Sequence, residues 1–417
     1  MEINKPAHVW QLSFDGDWPT SIAFLGNDRK IAAGNRQGQI YIWNLPETPP
    51  TETPPTDETD NEAKRKQDET PPDFAPTLRL DGHTNGITHL RATADGKTLI
   101  SASLDRTVRL WDVEAKPTST EEVVLDTKRR KIKARRKSKE EKEKIIGAPG
   151  VQVGVVGTSH SLEGHGEWVK SLGLSSDGRR LISGDDACRT IVWDLASRKE
   201  ISRWHGYDRI WIASAALSPD GTTAFTAEFA GSRSSFDRPA AQAKLWNADD
   251  GTMKLDLLKV WTPKVKDKDR IDSYGYAQTW GKLMKRGLVC AAFSPDGKLL
   301  AVGQGGETDT GKVHLIDVET GKIIRTVSGH RYGACDVKFS ADGKYILSSG
   351  RDTTVRICQV DDGKEVAALG KARGGQFKDW MHGIAVSPDQ NWVAAADIAG
   401  IVHLWQLSPD SADEAAG

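Results

Sequence analysis

The fold of this chain is decided by one stretch, Leu78–Val113, which reads LRLDGHTNGITHLRATADGKTLISASLDRTVRLWDV. Short runs of alternating apolar and polar residues in it are separated by residues that favour tight turns, the pattern of antiparallel strands with one buried face. Its markers are a Gly-His pair (Gly82, His83), an Asp-Gly turn (Asp95, Gly96), a Ser-x-x-x-Asp segment (Ser101, Asp105) and a closing Trp-Asp (Trp111, Asp112). The same pattern recurs along the rest of the chain, which predicts a repeat protein.

Seven turns in the same register mark the repeats. They read GND at 26–28, ADG at 94–96, SDG at 176–178, PDG at 219–221, PDG at 295–297, ADG at 341–343 and PDQ at 388–390. Five of them contain Asp-Gly, the pair that tolerates the left-handed backbone of a tight hairpin turn. The last three turns lie 46 and 47 residues apart, close to the ~40–45-residue period of a four-stranded propeller blade. We therefore predict an all-β protein, a seven-bladed β-propeller of four-stranded blades.

The seventh unit lacks a fourth strand, because it ends at Leu407 and is followed by a polar tail at 409–417, which we expect to be disordered. The run His8–Ser13, in contrast, precedes the first unit and has no unit of its own. Pairing of this run (8–13) with residues 401–407 closes the ring and removes the open sheet edges. The sequence thus predicts a single propeller domain over residues 1–408.

The Gly-His and Trp-Asp markers recur, as in Gly164-His165 with Trp193-Asp194, and together they resemble the WD40-repeat β-propeller family. The resemblance covers nearly the whole chain. It implies that the histidine, a strand-b serine, a b–c turn aspartate and a strand-c tryptophan form a buried hydrogen-bonded tetrad. Such a network leaves no polar group unpaired, so these residues are expected to be structural and not catalytic.

The expected tetrads are His83, Ser101, Asp105 and Trp111 in unit 2, and His165, Ser183, Asp186 and Trp193 in unit 3. Unit 6 keeps His330, Ser348 and Asp352 but has Cys358 in place of the tryptophan. Units 1, 5 and 7 lack the set, so we expect packing alone to stabilise them.

Two charged insertions interrupt neighbouring units between strands c and d, and therefore belong to the face that carries the c–d loops, the bottom face. Residues 46–76 hold nine acids, three bases and many prolines, a composition that predicts a disordered insertion. Residues 114–157 hold twelve bases and seven acids, with the basic run at 128–144. This run either is solvated and balanced by the acidic insertion, or binds nucleic acid, an anionic membrane surface or a nuclear import receptor.

A third insertion, residues 259–286, lies between units 4 and 5 as a d–a loop, which predicts a position on the opposite, top face. Its 28 residues are long for a loop in a compact domain, and such loops are usually either functional or disordered. It combines eight bases and three acids with the aromatic residues Trp261, Tyr274, Tyr276 and Trp280.

Four tryptophans share one register at the entrance to strand a, nine residues before the turn aspartate or its equivalent: Trp18, Trp168, Trp211 and Trp380. In the family this position, and the one two residues later, lie on the top rim and often contact partners. The second position holds Lys170 and His382 in units 3 and 7. Either the indoles anchor an interface, as large aromatic side chains do, or they pack on the next blade.

The composition favours no polyionic partner for the chain as a whole, because 57 Lys and Arg face 58 Asp and Glu. The four cysteines show no C-x-x-C spacing, which argues against a zinc site or a disulfide framework. The sequence shows neither a signal-peptide pattern nor an uncharged apolar stretch of about 18 residues. We expect a cytoplasmic protein, or a nuclear one if the cell is eukaryotic.

No acid, base or nucleophile stands out from its equivalents in the repeats, so we expect no enzyme activity, no metal site and no cofactor. We expect a scaffold that binds a protein or peptide on its top face, as a monomeric propeller within a complex. The bases and indoles there favour an acidic or phosphorylated partner. The alternative is a nucleic-acid-associated propeller that uses 128–144 or 259–286 and loses affinity steeply with salt.

Overall fold

The computed structural model describes residues 1–13, 19–26, 29–46, 73–125, 138–140, 150–206, 211–229, 241–262, 287–305, 311–370 and 381–408. Regular structure in these ranges is almost entirely β-strand and is arranged as seven sheets. The first strands of successive sheets pack side by side, and those of the last and first sheets also meet, which makes the arrangement a closed ring. The prediction of an all-β, seven-bladed propeller is confirmed.

The strands of each blade are called a to d from the central channel outwards. The first strand of the chain is β1 (Ala7–Ser13). Blade 1 contains β2 (Pro19–Leu25), β3 (Lys30–Asn35), β4 (Ile40–Asn44) and, after the short β5 (Asp73–Phe74), β6 (Leu78–Leu80). Blade 2 contains β7 (Ile87–Ala92), β8 (Thr98–Ser103), β9 (Val108–Asp112) and, after β10 (Ser119–Val123) and β11 (Val151–Val156), β12 (His160–Leu162).

The remaining blades follow the chain in order. Blade 3 contains β13 (Val169–Leu174), β14 (Arg180–Asp185), β15 (Arg189–Asp194) and β16 (Lys199–His205). Blade 4 contains β17 (Trp211–Leu217), β18 (Thr223–Phe229), β19 (Ala241–Asn247) and β20 (Met253–Asp256), which leads into the helix α1 (Leu257–Trp261). Blade 5 contains β21 (Leu288–Phe293), β22 (Leu299–Gln304), β23 (Gly311–Asp317) and β24 (Ile323–His330). Blade 6 contains β25 (Ala334–Phe339), β26 (Tyr345–Gly350), β27 (Val355–Gln359) and β28 (Glu365–Leu369), and blade 7 contains β29 (Met381–Val386), β30 (Trp392–Asp397) and β31 (Ile401–Gln406).

The Asp-Gly turns between strands a and b adopt the backbone that their sequence predicts. Gly96 has a φ of +70°, and Asp95 accepts a hydrogen bond from the backbone N–H of Lys97 at 3.0 Å. A side chain at such a φ is strained, whereas glycine is not. The same left-handed glycine recurs in the other four Asp-Gly turns, at Gly178, Gly221, Gly297 and Gly343. The repeat markers therefore act locally, by fixing where strand a ends and strand b begins.

The second strand of each blade carries most of the core. In β8, every residue after Thr98 is buried, and β14, β22 and β26 show the same pattern. These strands read as apolar and small residues throughout because neighbouring blades cover both of their faces. The outer strands, such as β16, are largely exposed.

Blade 7 is completed by the N-terminal strand, as predicted. β1 pairs antiparallel with β31, so that Leu12 lies opposite Val402. Trp10, which is fully buried, stacks on Trp392 of β30 with ring centroids 4.9 Å apart. The two ends of the propeller domain are thus held by a hydrogen-bonded ladder and by an aromatic pair.

The outer edges of blades 7 and 1 are extended by strands from the two charged insertions. β5 pairs parallel with β1, β11 pairs parallel with β6, and β10 pairs antiparallel with β11. Val123 and Val153 join Trp10 and Trp43 in one core cluster. Parts of both insertions therefore cover the place where the ring closes, which we call the closure seam. The remainder, residues 47–72, 126–137 and 141–149, lies outside the described residues.

Candidate functional site

The network of blade 2 connects the four side chains that the sequence assigned to it. His83 Nδ1 lies 2.7 Å from Asp105 Oδ2, and His83 Nε2 lies 2.7 Å from Ser101 Oγ. The indole Nε1–H of Trp111 donates to the same Ser101 Oγ at 2.8 Å. All four side chains are almost completely shielded from solvent. Each polar atom thus has a partner inside the blade.

The donors in this network fix the position of every proton. An indole N–H can only donate, so Ser101 Oγ accepts from Trp111 and its own proton points to His83 Nε2. His83 therefore carries its proton on Nδ1 and donates to Asp105. Burial lowers the pKa of His83, although Asp105 opposes this effect. Burial alone would raise the pKa of Asp105, but the hydrogen bonds from His83 and Thr107 outweigh it, and the pKa of Asp105 lies below its usual range. At neutral pH the histidine is therefore neutral and the aspartate charged.

Blade 3 has the same network with a different aspartate from the one assigned. His165 Nδ1 contacts Asp185 Oδ2 at 3.0 Å, while His165 Nε2 and the Trp193 indole both bond Ser183 Oγ. The assignment of Asp186 is wrong by one residue, because Asp185 ends β14 and its side chain also caps the turn, accepting from the backbone N–H of Ala187 and Arg189. Asp186 is thereby free for another role on the rim.

Blade 6 retains the network without its indole. His330 contacts Asp352 at 2.9 Å and Ser348 at 2.8 Å. Cys358, 3% exposed, stands where the tryptophan is in blades 2 and 3. Ser348 consequently has one partner fewer than Ser101.

The expectation that packing alone stabilises blade 7 is wrong. Asp397 Oδ2 lies 2.9 Å from His403 Nε2, and His403 Nδ1 lies 3.2 Å from His8 Nε2 on the closing strand. His8 also stacks on Trp405, with centroids 5.0 Å apart. A chain of side chains from both ends of the domain therefore replaces the tetrad in the blade that closes the ring.

The top rim presents one exposed tryptophan among the described residues, Trp168. It is 43% exposed, and the Lys170 ammonium lies 5.2 Å from the centroid of its ring. Lys170 also pairs with Asp186, Nζ to Oδ2 3.6 Å, and the backbone N–H of Asp186 donates to the Trp168 carbonyl at 3.0 Å. Three side chains from strand a and the b–c turn thus form a compact group, which we call the rim cluster.

Asp186 is the unusual member of the rim cluster. Its Oδ1 is buried and has no hydrogen-bond partner among the described residues. Burial raises its pKa above the usual range, partly opposed by Lys170. A buried acceptor without a partner costs free energy unless something binds to it. The sequence could not single out this residue, because the motif placed it in the tetrad.

The other residues assigned to the partner site are dispersed. Trp211 is half-buried at the start of β17. His382 is half-buried in the channel wall, and burial, together with Arg351 and Arg36, lowers its pKa to about 4, so it is neutral at pH 7. Trp18, Trp380, Tyr274, Tyr276 and Trp280 lie outside the described residues.

Trp261 does not belong to the top face. It ends α1, and its indole N–H donates to the carbonyl of Gly321 at 2.8 Å. Gly321 lies in the turn between strands c and d of blade 5, which is on the bottom face. The placement of Trp261 with the top-face loop is therefore wrong, because the chain turns into a helix directly after the short strand β20 and packs between blades 4 and 5.

The described residues offer few features of other functional classes. They contain no group of three or more His, Cys, Asp or Glu side chains that could hold a metal ion. Within the same part of the chain, no helix is long and apolar enough to cross a membrane.

The ring of seven sheets and its internal hydrogen-bonded networks define a repeat-type β-propeller. Comparison with known proteins finds three matching segments: residues 74–112, 157–194 and 321–358 match the family model of the WD domain, G-beta repeat. These segments end in blades 2, 3 and 6, the blades with the histidine–serine–aspartate network. The described blades therefore include three WD40 repeats within a seven-bladed propeller.

Several curated proteins are similar to parts of the chain. Autophagy-related protein 16 of Arabidopsis thaliana is 34% identical over 98 residues, which cover 24% of this chain and 19% of the relative. Human WD repeat and SOCS box-containing protein 1 is 33% identical over 117 residues, 28% of this chain and 26% of the relative. Apoptotic protease-activating factor 1 of Rattus norvegicus is 25% identical over 335 residues, 78% of this chain and 20% of the relative. The chain thus spans about a quarter or less of the length of these relatives.

Proposed function

We propose that this propeller is a protein-interaction scaffold that binds a peptide segment of a partner on its top rim. The observation that carries the proposal is the rim cluster, in which Trp168 is 43% exposed beside a buried carboxylate oxygen without a partner. Large aromatic side chains with an adjacent polar group are typical anchors of protein interfaces. The WD-repeat relatives support a scaffold role over catalysis.

The charges near the rim support an acidic partner segment. Lys170 keeps 34% of its side-chain surface exposed, and Arg36 and Arg351 lie near His382 at the channel mouth. Arginine and lysine form strong hydrogen bonds with carboxylates and phosphates. A backbone N–H of the same segment would supply the donor that Asp186 Oδ1 lacks. The rim cluster would then hold the segment through an apolar contact, a charge and a backbone bond.

Affinity purification of the full chain with quantitative mass spectrometry tests this proposal. Trp168→Ala should weaken the binding of specific partners by roughly thirty-fold or more, the loss typical of an interface hot spot. Ile324→Ala is the matched control, since Ile324 is 52% exposed on the outer strand β24, away from the rim. Partners recovered equally with Trp168→Ala and Ile324→Ala would show that the rim cluster is not the binding site.

Two further arms test the nature of the partner. Lys170→Glu should reduce the recovery of an acidic partner, whereas increased recovery would show that the segment is basic. Nuclease treatment before the wash separates protein partners from those held by nucleic acid. Loss of all partners with nuclease would replace the proposal by nucleic-acid binding.

A further inference from the structure

The central channel contains a cavity of about 120 Å³ whose wall is built by strand a of all seven blades. This volume is far larger than the roughly 10–15 Å³ that a single water molecule requires. Much of the wall is polar. Its polar lining includes Ser21, His89, Arg91, Ser171, Ser214 and Asp336.

One position of strand a repeats the same hydrogen bond from blade to blade, with a side chain that accepts from a backbone N–H of the next blade. The bonds are Leu90 N to Ser21 Oγ at 2.9 Å, Ala215 N to Ser171 Oγ at 2.7 Å and Ile384 N to Asp336 Oδ2 at 3.1 Å. Ser214 and His89 occupy this position in blades 4 and 2. Ser214 Oγ and His89 Nδ1 are buried and have no hydrogen-bond partner among the described residues. Ser214 is only 2% exposed, so the cavity is lined by polar groups that the fold itself does not satisfy.

Positive charge exceeds negative charge around this cavity. Lys338 Nζ donates to Asp336 Oδ1 at 2.7 Å, so the carboxylate is matched by one cation. Arg91 lines the cavity as a second cation, and its Nη1 donates to the Leu90 carbonyl at 2.8 Å. Besides burial, Arg91 and Lys338 lower the pKa of His89, whereas Asp336 raises it.

Nearby positive charges also lower the pKa values of the two histidines of the cavity. Burial lowers the pKa of His89 to about 3, and Arg91 adds to this effect. Burial likewise lowers the pKa of His382 to about 4, with contributions from Arg351 and Arg36. Both imidazoles are therefore neutral at pH 7, and an anion in the cavity would raise their pKa values.

We propose that the central channel binds one small oxyanion of the size of inorganic phosphate, held by Arg91, Ser214 and His89. A guanidinium has five N–H donors in a planar fork that suits an oxyanion, and the bond from Nη1 to Leu90 leaves others for the ligand. The Ser214 hydroxyl donates to a second oxygen. A protonated oxygen of the ion donates to His89 Nδ1, or His89 takes up a proton and donates in turn. The anion offsets the excess positive charge, and the cavity is too small for a peptide.

Calorimetric titration of the full chain with inorganic phosphate, at an ionic strength held constant with sodium chloride, tests the proposal. We expect saturable binding of one phosphate per chain. Arg91→Gln should weaken it by roughly ten- to a hundred-fold, the loss of one hydrogen bond to a charged group. Arg179→Gln is the matched control, because the Arg179 side chain is 80% exposed outside the channel, and it should bind as the wild type does.

A second variant keeps the test decisive if Arg91→Gln does not fold. Ser214→Ala removes a single hydroxyl that has no partner within the described structure, so the fold should tolerate it, and phosphate binding should weaken by about three- to ten-fold. In parallel, the pKa of His89, followed by NMR, should rise on addition of phosphate but not of chloride. Absence of saturable phosphate binding, or binding unchanged in Ser214→Ala with an unchanged His89 pKa, would overturn the proposal.

Discussion

The blade networks differ by a single indole, and this difference allows the free energy of one buried hydrogen bond to be measured within one protein. Ser101 Oγ has two partners, His83 and Trp111, whereas Ser348 Oγ has only His330, because Cys358 replaces the tryptophan. Ser101 is 0% and Ser348 5% exposed, so the sites are comparably buried. Ser101→Ala and Ser348→Ala remove the same atom in equivalent places.

The expected losses follow from the partners that each variant leaves behind. Ser348→Ala leaves one buried group, His330 Nε2, without a partner, which costs about 1–3 kcal/mol. Ser101→Ala leaves both His83 Nε2 and the Trp111 N–H without one, which costs about 2–6 kcal/mol on the same scale. The free energy of unfolding should therefore fall by about 1–3 kcal/mol more for Ser101→Ala than for Ser348→Ala.

Urea unfolding of the full chain, followed by tryptophan fluorescence and circular dichroism, measures the difference as a shift of the midpoint at unchanged slope. Ser183→Ala is an internal repeat of the experiment, since Ser183 also bonds a histidine and an indole. It should resemble Ser101→Ala. Equal losses for Ser101→Ala and Ser348→Ala, within about 0.5 kcal/mol, would refute the contribution assigned to the Trp111 hydrogen bond, because differences of that size are ordinary for surface substitutions.

Three other perturbations have defined outcomes. Trp10→Ala removes a fully buried side chain that stacks on Trp392 at the closure seam. The free energy of unfolding, measured with urea, should fall by about 3–5 kcal/mol. A fall no larger than that of Trp168→Ala would contradict the role of the seam. Gly34→Ala would place a Cβ 2.5 Å from Ile87 Cγ2 of the next blade, whereas Gly157→Ala meets only one atom, 3.8 Å away. Melting curves should therefore reveal a loss of about 1–3 kcal/mol for Gly34→Ala alone, and equal curves for the two variants would contradict this close approach of the blades. Burial, with Lys312, lowers the pKa of His314 from 6.5 to about 4. The contribution of neutral His314 to the free energy of unfolding is therefore complete above pH 6.5 and is lost as the pH falls towards 4, by at most about 3 kcal/mol. His314→Gln should flatten the pH dependence of unfolding in that window, and an unchanged slope would disprove the assignment.

The sequence predicts the blades well because their determinants are local. An Asp-Gly pair fixes a turn by the φ of one glycine, and the residues of a tetrad lie within about one blade of each other. The error at Asp186 arises because the extra residue in the turn of blade 3 leaves two aspartates in sequence, and only the backbone shows that Asp185 ends the strand. The sequence does not predict the network of blade 7 for a different reason. His8 and His403 are 395 residues apart, so no local pattern connects them.

The insertions show the limit of composition as a guide. The charge of residues 114–157 indicates no particular strand, yet β10 and β11 form at the two ends of the basic segment. β10 pairs with β11, and β11 pairs with β6, a pairing that has no local signal in the sequence. Arg79 of β6 binds Glu121 of β10 at 2.7 Å, and Val153 packs in the core of the closure seam. The strands are placed by contacts with a neighbouring blade, and only the folded ring supplies them.

The tetrads differ from the polar groups on which the two proposed sites depend. Inside blades 2 and 3, histidine, serine, aspartate and tryptophan satisfy one another completely, so a ligand there would have to break bonds that the fold needs. On the rim and in the channel, Asp186 Oδ1, Ser214 Oγ and His89 Nδ1 are buried without protein partners in the described part of the chain. Such groups reduce the stability of the unliganded protein, and each of them becomes satisfied if a donor or an oxyanion binds. The tetrad residues therefore serve the fold, whereas these three groups lie at the rim and the channel, where we propose that a partner and an ion bind.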